Sequence, residues 1–143
     1  MKNKKRITRV KLDMKENNEE ILLYGLVATE PDYKISLILN KQLNIFLKIN
    51  SPVEITGSNG NKMVFSRFTD SSGVPDIYYT LISNRSGNDL LFKKFNRIDY
   101  FLSVYHAFPL DPENLARQLR NTVYITAVFP IDSGEIDYKV FQY

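Results

Sequence analysis

Residues 97–131 read RIDYFLSVYHAFPLDPENLARQLRNTVYITAVFPI, and their patterning decides the fold class. The first ten residues are rich in aromatic and β-branched side chains, as a pleated and half-buried surface prefers, and predict a strand. Asp111 is a good N-cap, Pro112 fits the first helical position and Glu113 complements the positive helix end. Leu115 and Leu119 share a face, Glu113 and Arg117 stand four apart, and Arg120 lies at the negative end. A second apolar run, VYITAVFPI, follows as a strand. Strand, helix and strand in succession predict two parallel strands joined by a right-handed crossover.

Working upstream, Val10, Leu12 and Met14 alternate with charged residues, and Asn17-Asn18 marks a turn before ILLYGLVAT. This predicts a hairpin over residues 8–28. In TEPDYKISLILNKQLN, Thr29 or Glu30 can cap and Pro31 fits the first turn. Ile35, Ile38, Leu39 and Leu43 line one face, so a helix is expected over 31–43. IFLKI (45–49) alternates, and Pro52 limits its continuation. Asn59-Gly60 suits a tight hairpin turn between strands near 53–56 and 62–68. SSGVPD reads as a loop, IYYTLIS as a strand, and GEIDYKVFQY as one further edge strand. The expected fold is α+β: an antiparallel-dominated sheet with two helices on one face, a ferredoxin-like βαββαβ plan with extra strands.

No repeat or linker divides the 143 residues, which form one expected domain, with residues 1–6 a flexible basic arm. The chain has no cysteine, which excludes disulfides, thiolate nucleophiles and Cys-ligated metal sites. Net charge is +3, but the six basic residues Lys2, Lys4, Lys5, Arg6, Arg9 and Lys11 precede the first acidic one, Asp13. The remainder therefore sums to −3, so the basic character belongs to the leading segment. Charges interrupt the start, so no signal peptide is read, and no apolar run is long enough to span a bilayer. A cytoplasmic protein without membrane association is expected.

Motif chemistry is sparse. His106 is the sole histidine, and a general base there would need Asp99 or Asp111 to orient it. Asp132, Glu135 and Asp137 lack the alternate spacing of a calcium loop and read as a solvated turn. GSNGNK lacks the Gly-Lys-Ser/Thr ending of a phosphate loop, and there is no G-x-S-x-G nucleophile turn. No catalytic residue, metal or cofactor is assigned. An RNA-binding alternative would use Lys4, Lys5, Arg6, Arg67, Lys93, Lys94 and Arg97 with strand aromatics Phe65, Phe68, Tyr78 and Tyr79. KMVFSRF lacks the glycines of the RNP pattern, and core packing accounts better for these rings.

One stretch looks familiar. In YYTLISNRSGNDLLFKKFNRIDYFL (78–102), Leu81-Ile82-Ser83-Asn84-Arg85-Ser86 and Ile98-Asp99-Tyr100-Phe101-Leu102 resemble the IPExxxVDY family of uncharacterised bacterial proteins. Asp32-Tyr33-Lys34 with Leu39-Asn40-Lys41-Gln42-Leu43, and Phe65-Ser66-Arg67-Phe68, are weaker echoes of the same family. The name-giving Ile-Pro-Glu is replaced by Phe92-Lys93-Lys94, which reverses the local charge. The resemblance implies no activity and no catalytic residue.

The expectation is a non-catalytic binding or regulatory module for a protein or small-molecule partner, and a homodimer is compatible with such a sheet. Candidate ligand-binding residues are Asp99, Asn84, Arg85 and His106. Nucleic acid is the less favoured partner.

Overall fold

The computed structural model describes residues 20–141. The sequence-expected first strand of the 8–28 hairpin, its Asn17-Asn18 turn and the basic arm with Lys4, Lys5 and Arg6 lie outside them.

Among the described residues six strands form one antiparallel sheet in the order β2-β3-β4-β7-β1-β8. They are β1 (Glu20–Ala28), β2 (Lys48–Thr56), β3 (Lys62–Asp70), β4 (Ile77–Ser83), β7 (Tyr100–His106) and β8 (Ile125–Ile131). A two-residue ribbon, β5 (Arg85–Ser86) and β6 (Asp89–Leu90), sits between β4 and β7 in the chain. Among the described residues two helices pack with the sheet, α1 (Asp32–Leu43) and α2 (Pro112–Arg120).

β7 is the middle of the sheet, paired with β4 on one side and β1 on the other. Its run YFLSV is buried without alternation because both sheet faces are covered. On one face, Ile35 and Leu39 of α1 and Ala116 and Leu119 of α2 meet Tyr24, Leu26, Tyr100, Leu102 and Val104. On the other, Phe65, Ile82 and Phe101 pack under Ile98, Phe92, Phe95 and the C-terminal Phe141. Rings cluster there edge to face, with Phe92 and Phe101 at 5.4 Å and 88°.

The strand–helix–strand unit is present, with Asp111 accepting the Glu113 N–H at 3.1 Å as its cap. β7 and β8 run the same way, but they do not pair, because β1 lies between them antiparallel to both. β1 carries apolar side chains in both directions and so suits an interior position. Its Gly25 allows a close approach: a Cβ there would lie 2.7 Å from Cδ1 of Ile98 and 3.0 Å from Cδ1 of Ile131.

The six-strand order is not that of a plain βαββαβ sheet, because the β2–β3 hairpin extends it beyond β4. That hairpin turns at Gly60, whose φ is +84°. The separate strands expected at 45–49 and 53–56 are one strand from Lys48, which absorbs Pro52 through a register shift between Asn50 and Val53. Ile45 and Leu47 are buried ahead of it.

Two local expectations are corrected. Neither Thr29 nor Glu30 caps α1: Pro31 holds that place without a side-chain bond, its carbonyl takes the Lys34 and Ile35 N–H groups, and Glu30 pairs with Lys34 at 2.8 Å. The C-terminal stretch is not an edge strand. It forms 3-10 turns at Ser133–Glu135 and Tyr138–Phe141, because Phe141 turns inward to close the second core.

Candidate functional site

The connector from Ser83 to Tyr100 is organised around one side chain. Asn84 is fully buried, and its Nδ2 donates to the carbonyls of Phe95 (3.0 Å) and Ile98 (2.9 Å). Its Oδ1 accepts the Phe92 N–H at 2.9 Å. Its own N–H and carbonyl bond Asp99 O and Leu91 N at 2.9 and 2.8 Å. An amide side chain supplies two donors and an acceptor on one rigid plane, which this non-repetitive loop requires. Every main-chain polar group it meets is satisfied, as burial demands. Asn84, read from sequence as a candidate ligand contact, is therefore the hub of the connector.

Asp99 and Arg85 stand beside it. The Arg85 Nε donates to Asp99 Oδ1 at 2.7 Å and its guanidinium reaches Asn96 O at 2.8 Å. The other carboxylate oxygen, Oδ2, takes the Ala28 N–H at 3.0 Å. Asp99 N–H continues the β1–β7 contact by donating to Leu26 O. Beyond that point β1 shifts register between Val27 and Ala28. That shift lies on the β8 side; on the β7 side, past the last pair Leu26–Tyr100, the carboxylate supplies the acceptor for the Ala28 N–H.

Thus three of the four candidates, Asn84, Arg85 and Asp99, come together. The polar atoms of Asn84 and Asp99 are spent on the scaffold, and the half-exposed Arg85 binds Asp99 and Asn96 through two of its nitrogens. His106 does not join them. It ends β7, about 20 Å of strand from Asp99. It is buried, and its Nδ1 lies 2.5 Å from Phe108 O. A carbonyl only accepts, so Nδ1 carries the proton, and Nε2 is a buried atom without a hydrogen-bond partner. Among the described residues neither Asp99 nor Asp111 bonds the ring; the Phe108 carbonyl orients it instead.

What the connector presents outward is a groove. Its turn Lys93–Phe95 divides two adjoining hollows on the face away from the helices. The first, about 400 Å³, is walled by Ile55, Met63, Leu91, Phe92, Phe95 and Ile136. The second, about 310 Å³, is walled by Phe95, Ile98, Phe129, Pro130 and Ile131. Lys94 and Glu135 border both and form an ion pair at 3.0 Å. Lys93 borders the first and Arg97 the second; both are exposed and neither forms a salt bridge among the described residues. The walls went unread in the sequence. The signal was DLLFKKF: four large apolar residues are too many for a solvated connector.

A third hollow of about 480 Å³ lies at the start of β2 around Asp70. Asp70 Oδ2 accepts the Phe46 N–H, and Oδ1 accepts the N–H and hydroxyl of Ser72. Burial pushes this carboxyl up, but the Ser72 and Phe46 hydrogen bonds and the Lys48 charge outweigh it, and the net shift is down. Both oxygens are committed to closing the chain at this corner.

Of the cations of the RNA alternative, Lys93, Lys94 and Arg97 border the groove, Arg67 does not, and Lys4, Lys5 and Arg6 lie outside the described residues. Phe65, Phe68 and Tyr78 are buried, and Arg67 donates to Ser51 O near the β2 edge. Among the described residues, no three metal-ligating side chains assemble, and no helix is long and apolar enough to cross a membrane. Compared with known proteins, the sequence matches no family model and no curated protein.

Proposed function

We propose that this chain is a non-catalytic binding module of the cytoplasm whose contact surface is the two-lobed groove beside Lys93–Phe95. The observation that carries the reading is the pairing of apolar hollows with two uncommitted cations on a connector fixed by Asn84. Hollows of this size with few polar groups on a rigid frame are the ordinary form of a recognition site. The polar residues that sequence reasoning favoured for chemistry are engaged in main-chain bonds, which supports a scaffold role for them and not a catalytic one. Membership of the IPExxxVDY family belongs to this proposal and is supported by the LISNRS and IDYFL matches. The ferredoxin-like βαββαβ plan also belongs to it, supported by the sub-order β8-β1-β7-β4, onto which the β2–β3 hairpin adds.

The test is methyl-labelled nuclear magnetic resonance with a neutral apolar dye. Saturable shifts confined to Met63, Leu91, Ile98, Ile131 and Ile136 are expected. Shifts scattered over the surface, or none at saturating dye, refute the groove.

A further inference from the structure

We infer that the occupant of the groove is a segment of a partner protein in which two apolar anchors flank acidic residues. The inference rests on the binding-module reading and adds to it the chemistry of the ligand.

The argument is one of placement. A single-headed amphiphile needs its countercharge at one end of a continuous apolar trough. Here Lys94, paired with Glu135, stands between the two hollows, with Lys93 and Arg97 to either side. Lys94 borders both, Lys93 lies at the edge of the first and Arg97 at the edge of the second. A ligand that fills both lobes must therefore cross the cationic ridge with a polar, anionic middle. A polypeptide does so naturally, since in an extended segment apolar side chains at i and i+4 and a charged one at i+2 project from the same side. Glu135 already holds the Lys94 ammonium at 3.0 Å, so the surplus positive charge of the ridge is that of Lys93 and Arg97, and these are the cations a partner's Asp or Glu would meet. Lys94 also lies 5.5 Å from the Phe95 ring centroid, which holds its ammonium over the shared wall. The ridge does not move freely, because Phe92 N–H, Phe95 O and Ile98 O are all pinned by Asn84. A preformed ridge lowers the ordering cost of docking.

The experiment selects random displayed peptides on the full chain and maps the winners by methyl shifts. Enriched peptides are expected to carry Asp or Glu between two large apolar residues and to shift Met63, Leu91, Ile98 and Ile131. Their affinity should fall as salt is raised. The double variant Lys93→Glu, Arg97→Glu changes only exposed side chains and should weaken them by about tenfold or more. Its urea midpoint should match that of the parent, which excludes a folding defect. Three results overturn the inference: winners without acidic residues, winners indifferent to the charge reversal, or RNA oligonucleotides displacing them. If the neutral dye still fills the lobes in those cases, only the occupant is wrong. If neither dye nor peptide binds, the groove reading falls with it.

Discussion

Replacing Asn84 by alanine removes three hydrogen bonds at once, at a position closed to solvent. Each bond contributes about 1 kcal/mol net, and a buried group left without a partner costs about 1–3 kcal/mol. The Phe92 N–H loses its acceptor outright. The Phe95 carbonyl keeps the Ile98 N–H at 3.1 Å and is only partly stripped. Together these give a cost of about 3–5 kcal/mol, a large share of the ~5–15 kcal/mol stability of a typical domain. Asn84→Asp should be at least as damaging, because it keeps the acceptor, loses both donors and sets a buried carboxylate against two carbonyls. The assay combines urea unfolding with hydrogen exchange over residues 85–98. Protection should be lost first in this connector, while amides of β7 remain slow. Asn88→Ala, an exposed change in the same connector, should stay within about 0.5 kcal/mol. A cost under about 1 kcal/mol for Asn84→Ala, with the Phe92 amide still protected, would refute the hub argument.

Other consequences follow from the same geometry. Asp99→Ala should cost about 2–3 kcal/mol, since it strands the Ala28 N–H, whereas Arg85→Ala should cost under about 1 kcal/mol because the guanidinium is largely solvated; equal losses in urea unfolding would contradict this division. Gly25→Ala should destabilise by about 1–3 kcal/mol by pushing Ile98 and Ile131 apart, read as a lowered thermal midpoint. Burial, reinforced by nearby carboxylates, pushes the phenols of Tyr24 and Tyr100 up to about 12, where each donates to a carbonyl, of Pro112 and Glu30 respectively. A raised pKa means the folded state holds these protons, so their contribution is intact below the ordinary tyrosine pKa of about 10 and is lost as pH rises toward 12. Ultraviolet titration should show late-ionising tyrosines coinciding with unfolding; ordinary titration of every tyrosine in a folded chain would count against it. Asp70 has the opposite sign: its lowered pKa adds stability above the ordinary carboxylate pKa of about 4, lost as pH falls through the folded value, and Asp70→Asn should flatten that part of the acid limb.

Local patterning alone determined much of the architecture. Asp111-Pro112-Glu113 fixed the start of α2 within a residue, because capping is a contact between near neighbours. Asn59-Gly60 located the β2–β3 hairpin, because a positive φ is a property of the turn residue itself. The apolar face of α1 was equally legible, and so was the α+β class. Three features required the tertiary structure. The insertion of β1 between β7 and β8 depends on which strand best tolerates burial on both faces, a comparison across the whole chain. The C-terminal turns form because Phe141 completes a core whose other members lie far away in sequence. The roles of Asn84 and Asp99 were hidden for the same reason. A polar residue among apolar neighbours reads alike in sequence whether it meets a ligand or a main-chain amide, and only the folded partners, Phe92, Ile98 and Ala28, separate the two.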